Sequence, residues 1–296
     1  MAIGSAACWA TSVLLFRRLG TVDPRSLNVF KNVVAIALLG ITLALMGQGL
    51  DSGRSGADWV RLVGSAFFGI ALGDTLFFAG LQRIGGSVAA VVDCAYSPSV
   101  VVLSVLVLGE PVRGGLLLGG ALVVCGLAVV SWPTRDVVAR PQRPEALPLR
   151  MRVDLGGVLL ALGGVVATAV GVVMAKPALE RSDLIEATTV RLVAALACLL
   201  VWQAATGSLR DSLAILRPQP MWRVALPASV LSTYISMLLW LGAFKWTLAS
   251  RAALLNQMAT VFLLVLARTV GGEVVPLRRW VGAGIAVAGV VAVVLG

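Results

Sequence analysis

The sequence predicts an all-α integral membrane protein: ten transmembrane helices arranged as two inverted five-helix repeats. Three observations carry this. The chain is 59% hydrophobic with a mean hydropathy of +0.96, and only 13% of its residues are charged, about half the share usual in a soluble domain. Apolar runs of the roughly 20 residues that cross a bilayer recur along all 296 residues. The second half of the chain also repeats the first, with an odd number of runs in each copy.

The ten spans fall at 2–16, 25–46, 59–80, 86–108, 112–132, 153–176, 184–206, 221–246, 250–270 and 276–295. A tight turn is expected at 82–86 between the third and fourth. Between the fifth and sixth lies a polar stretch with Pro133, Pro141, Pro144 and Pro148 and several arginines. Rich in proline and poor in apolar residues, it reads as a linker. The chain thus divides into a first repeat, 1–132, a linker, 133–152, and a second repeat, 153–296.

The repeat is visible residue by residue. At a shift of 163, Ser87 meets Ser250, Asp93 meets Asn256, Glu110 meets Glu273, Gly119 meets Gly282 and Gly126 meets Gly289. Nearer the start of each half, Asp23 meets Asp183 and Lys31 meets Arg191 at a shift of 160, as a short insertion in a loop would leave. Five spans per copy oblige the second half to enter the membrane from the opposite face. Many secondary transporters are built so, with the substrate near the midplane between the repeats.

Span ends carry helix signals. Asp23 precedes the first-turn Pro24. Asp183 and Glu186 have capping-box spacing. Glu110–Pro111 opens the fifth span, and Glu273 is expected to do the same for the tenth, acids being favoured in a first turn by the helix dipole. Gly69/Gly73 and Gly115/Gly119 have the small-xxx-small spacing that lets helices approach closely.

A net charge of +10 would point to nucleic acid in a soluble protein. Here the basic residues sit mainly between apolar runs, as the positive-inside rule requires, and no nucleic-acid partner is expected. Arginine is denser after spans 1, 3, 5, 7 and 9, which would place both termini outside. Cys8, Cys94, Cys125 and Cys198 all fall in spans without metal spacing and read as small packing residues. Histidine is absent, so proton coupling would fall to carboxylates. The first apolar run has no basic region ahead of it and reads as a span, not as a cleavable signal. No metal or cofactor is called for.

The two five-span halves, the GDTLFF stretch at 73–78, the small-residue run at 87–92 and the LGEP at 108–111 resemble the drug/metabolite transporter superfamily, specifically the EamA type with two EamA repeats. The likeness covers nearly the whole chain. It implies a ten-helix exporter of small metabolites, often amino acids or drug-like compounds, driven by proton exchange or solute gradients. It also implies a central cavity lined by helices 1, 3, 4, 6, 8 and 9, and cytoplasmic termini. The second half departs from the pattern, with Glu273–Val274 where the first has Glu110–Pro111.

Four charges lie well inside spans: Lys31, Asp74, Asp93 and Arg191. Each alone costs at least ~2.5–3.5 kcal/mol at a helix centre, so they should face the interior and pair. Asn28, Lys31 and Asn32 share a helix face, as do Asp93, Tyr96 and Ser97. Pro98 frees the carbonyl of Cys94 by removing a backbone donor. Lys31 or Arg191 suits a substrate carboxylate and an aspartate suits an amine or a proton, a pattern that fits an amino acid. Trp9, Tyr96, Tyr234 and Trp240 offer flat apolar walls, and Asn256, with Gln257 beside it, stands where the copy would place Asp93. Lys31 and Arg191 read equally well as inter-helix ion-pair partners. Asp74 and Asp93 have no acid in the copy and read as functional.

The leading reading is therefore a secondary transporter exporting small metabolites in a bacterial inner membrane, as a monomer or weak dimer. Its partners would be a small-molecule solute, membrane lipid and protons as the candidate coupling ion. A nucleotide-sugar or lipid-linked carrier would want more interior cations. A membrane enzyme would want the His, Cys or Ser constellations that the sequence lacks.

Overall fold

A computed structural model describes residues 1–19, 22, 24–49, 53–131, 154–270 and 275–295. All regular structure among them is helical. The elements of the first half are α1 (Ala2–Arg17), α2 (Pro24–Leu45), α3 (Gly56–Ala66), a wider π-helical turn (Phe67–Leu72), α4 (Gly73–Asp93), α5 (Tyr96–Leu108) and α6 (Gly114–Ser131). The second half holds α7 (Leu155–Arg181), α8 (Leu184–Ala205), the short α9 (Leu209–Ala214) and α10 (Trp222–Ser229). A second π-helical turn (Val230–Ile235) follows, then α11 (Ser236–Trp246), α12 (Ala249–Asn256), α13 (Met258–Thr269) and α14 (Leu277–Leu295). Nine stretches among the described residues are long and apolar enough to cross a membrane, and Ala2–Phe16 is a shorter tenth.

Local chemistry sets the ends. Ser55 caps α3 by accepting from the Asp58 N–H at 3.2 Å, and Asp154 caps α7 by accepting from the Gly156 N–H at 3.0 Å. Asp183 caps α8, accepting from the N–H groups of Ile185 at 2.8 Å and Glu186 at 3.3 Å. The expected box stays half closed, because the Glu186 carboxylate turns instead to Arg54 at 3.2 Å. Gly109 ends α5 at φ +67, a left-handed conformation that costs glycine nothing.

One expectation is corrected. The backbone at 82–86 is helical, not a turn; α4 runs on to Asp93 and the break comes at Cys94–Ala95. Pro98 has no N–H to give the Cys94 carbonyl, which favours a break there. The same break recurs at Gln257, between α12 and α13, where no proline follows at the matching position. The Asp23 cap, Glu273 and the 133–152 linker lie outside the described residues.

The halves meet as an inverted pair. The two π turns stand 163 residues apart, and so do the α4–α5 and α12–α13 breaks. The contacts swap accordingly: α1 packs on α10, α11 and the π turn between them, while α7 packs on α3, α4 and theirs. The helices α6 and α14 cross with glycine against glycine. A Cβ at Gly119 would stand 2.6 Å from the Gly289 carbonyl oxygen, and one at Gly126 would stand 2.6 Å from that of Gly282. The reverse pairs, Gly289 to Gly119 and Gly282 to Gly126, are equally tight at 2.7 Å. A pairing that returns itself when the copies are exchanged is a two-fold relation.

Candidate functional site

The four interior charges come to the middle of the bundle from α2, α4 and α8. Lys31 and Asp74 are half-buried and Arg191 is only 2% exposed. Asp93 is exposed, although it continues the helix face that carries the buried Ala89, Tyr96 and Ser97. Trp9 repeats this on α1: it is 46% exposed on a face shared with the buried Ser5, Ala6 and Ser12. Both residues are thus exposed on faces that otherwise pack inward.

The four charges do not pair as expected. Among the described residues, the ion pairs within 4 Å are Arg54–Glu186, Arg61–Asp58, Lys176–Glu180 and Arg181–Asp58. All lie at one end of the bundle. Lys31 acts electrostatically on Asp74 without closing a contact.

The remaining candidates sort into small groups. Tyr96 is buried beside Trp240, whose indole meets Phe244 edge-on at 5.2 Å. The Arg191 guanidinium stands over the Trp240 ring at 5.8 Å. The Tyr234 hydroxyl, on the second π turn, is 2.7 Å from that of Thr42. The Asn32 amide donates to the Asn28 carbonyl at 2.8 Å and to its side-chain oxygen at 3.1 Å. Asn256 is half-buried at the second break, and beside it Gln257 is buried with its Nε2 unpartnered.

Several structural residues escaped sequence reasoning. Glu110 does not cap the fifth span. It reaches across to the second half, accepting from the N–H groups of Ala249 at 2.5 Å and Ser250 at 3.1 Å and from the Ser250 hydroxyl at 2.7 Å. It thus caps α12, and the first-turn spacing that suggested a local cap names no partner so distant. Lys176 is buried and donates to the carbonyls of Phe244 at 2.9 Å and Thr247 at 2.8 Å. Lys245 donates to the Ser182 carbonyl. Ser5 and Ser236 exchange hydroxyl-to-carbonyl bonds of 2.9 and 3.0 Å, tying α1 to α11. The repeat sets Thr168 against Gly73 at the matching crossing, where a Cβ on Gly73 would stand 2.5 Å from the threonine hydroxyl. A cavity of about 460 Å³ lies elsewhere, between Val22, Ser26, Asp211, Ile215, Gln219 and Met221. It sits at the end of the bundle opposite Glu110, and none of the interior charges lines it.

Three comparisons bear on this arrangement. One solved crystal structure of a protein shares the fold, at 19% sequence identity and a TM-score of 0.74, covering 99% of this chain and 95% of that one. No curated protein matches the chain. The model of the EamA-like transporter family matches it twice, over residues 1–132 and 155–295. The two matches fall on the two halves that pack as an inverted pair, and together they span nearly the whole molecule: the chain is a member of the EamA-like transporter family.

Proposed function

We propose that this multi-pass membrane transporter exports small polar or amphipathic metabolites, amino acids and drug-like solutes among them, across the bacterial inner membrane. It does so by alternating access, one half moving against the other, with protons as the coupling ion. One observation carries the reading. The four interior charges sum to zero yet are not consumed by one another, so their ionic partners are left to be supplied by what enters between the halves. A charge kept inside a bundle at such cost and left unpaired suits a site that is filled in turn by a solute or a proton.

The two ends of the bundle support the same reading. At the end with Glu110, three contacts tie first half to second: Glu110 to α12, Arg54 to Glu186 and Asp58 to Arg181. At the opposite end, apart from the interior charges, lies the cavity between Val22, Ser26 and Asp211. Asp93, exposed on an inward face, is the carboxylate best placed to meet a solute amine or a proton.

The test is electrical. Purified protein in liposomes on a solid-supported membrane is challenged with amino acids and cationic drugs, with and without a pH gradient. A saturable current is expected for one solute class. Asp93→Asn should remove the component driven by the pH gradient at equal folded protein. A current that keeps its pH dependence in Asp93→Asn removes Asp93 from the coupling role, and saturable exchange of no solute in either this assay or labelled exchange sinks the transport reading.

A further inference from the structure

We propose that Arg191, with Tyr96 and Trp240, forms a subsite for the carboxylate of the transported solute. This rests on the transport reading above and narrows it to solutes that carry an acid group. Arg191 is the largest of the fully buried side chains, and its Nε and Nη1 have no hydrogen-bond partner. Arg54 also holds an unpartnered nitrogen, but it has a carboxylate in Glu186. Arg191 has no carboxylate within 4 Å among the described residues, where such ion pairs all lie at the far end of the bundle. A buried guanidinium without a counter-ion is an incomplete arrangement, because desolvation is suffered and nothing offsets it.

The surroundings suit an incoming anion. The Tyr96 hydroxyl is buried without a hydrogen-bond partner; the Trp240 indole approaches it without reaching hydrogen-bond geometry. Its O–H is therefore free to donate, which places a neutral donor beside the cation. The Trp240 ring under the guanidinium gives the cation a π face to rest on while the site is empty. Gly69, on the first π turn, packs close by: a Cβ there would lie in van der Waals contact with Nη2, at 3.6 Å.

The chemistry selects a carboxylate. A guanidinium presents its donors as a planar fork that fits carboxylate or phosphate in two parallel bonds. One cation offsets the single charge of a carboxylate. The second charge of a phosphate would find no cation here, and Asp93, three residues before Tyr96 on the same face, would repel it. The same aspartate would favour a solute with an amine beyond its acid group. By the repeat, the matching place in the other half is held by Lys31, half-buried and near Asp74, so the two halves offer unlike sites and the carboxylate has one place to go.

The test is a thermal shift of the purified full-length protein in detergent, with acid and amide pairs: acetate and acetamide, phenylacetate and 2-phenylacetamide. Inorganic phosphate and chloride are added as separate arms. At millimolar concentration the acids should raise the melting temperature by several degrees while the amides do not. Arg191→Gln should abolish the response and Tyr96→Phe should weaken it several-fold. Ligand-free Arg191→Gln should melt no lower than the wild type, because it removes a buried charge that nothing pairs. The proposal is overturned if amides stabilise as well as acids, if no acid stabilises, or if phosphate or chloride does so in their place. It is equally overturned if Arg191→Gln keeps the response, or if that variant melts far below the wild type, which would make the guanidinium a structural support. The readout needs no turnover. Acid binding through Arg191 without exchange of any solute would sink the transport reading alone, and exchange of neutral or cationic solutes without acid binding would sink this one alone.

Discussion

At the scale of single residues, the molecule holds acids of two kinds. Glu110 is buried and fully used: three donors on Ala249 and Ser250 converge on its two oxygens. Among the described residues, Asp74 and Asp93 accept no such hydrogen bonds, and they lie within the spans of the first half. The two kinds should answer differently to substitution. Glu110→Ala strands two buried backbone N–H groups, and each loss of that sort costs roughly 1–3 kcal/mol. Its expected outcome is a clear drop in melting temperature in detergent, whereas Asp93→Asn leaves the melting temperature near that of the wild type. A Glu110→Ala variant as stable as the parent would remove the cap from this account. The sequence made all four interior charges legible, because a charge within an apolar run is conspicuous. It did not make their partners legible. Glu110 next to Pro111 looks like a local cap, and only the folded chain brings it to α12.

At the scale of elements, glycine does what apolar packing cannot do in lipid, where no hydrophobic force draws one helix to another. Gly119 and Gly126 let α6 lie backbone to backbone on α14, and Gly69, Gly73 and Gly80 do the same for the third span on α7. Gly126→Leu forces a side chain where a Cβ alone would stand 2.5 Å from the Ala286 nitrogen, and backbone cannot give way as a side chain tip can. The expected result is little monodisperse protein on size exclusion after extraction. Gly284→Leu, on the same pair of helices but with nothing within 4 Å, should behave as the wild type. Equal behaviour of the two would count against the glycine seam. These helices were readable in advance to within a few residues, and the spacing of Gly69/Gly73 announced the close approach. The π turns were not readable. Phe67–Leu72 (FFGIAL) and Val230–Ile235 (VLSTYI) share no residue pattern. They arise where each third span of a repeat bends against the first span of the other, so the cause is tertiary.

At the scale of the whole molecule, the inverted repeat gives two halves of like shape and unlike chemistry. The shift of 163 that relates Asp93 to Asn256 in the sequence also relates the π turns, the helix breaks and the crossing glycines in space. The backbone keeps the symmetry, and so do the interior cations Lys31 and Arg191, but the interior acids do not. That asymmetry is what a carrier needs: a frame with two equivalent ways to open around contents that bind one solute in one orientation. In the structure the end with Glu110 is tied by the contacts of that residue, and a cavity that the interior charges do not line sits at the other. On the alternating access proposed above, transport would require the Glu110 end to part, and the α12 cap is a contact that bridges the fourth and ninth spans there.

The central claim, that solutes cross by alternate opening of the two ends, is tested most directly by locking that contact. Glu110→Cys and Ser250→Cys are combined in a background where Cys8, Cys94, Cys125 and Cys198 are replaced by serine or alanine. The two thiols are bridged with a short, reducible bifunctional reagent, and counterflow of labelled amino acids into preloaded liposomes is followed. The account predicts saturable counterflow before bridging, its loss after bridging and its return on reduction. Counterflow that continues undiminished through the bridged protein would contradict it.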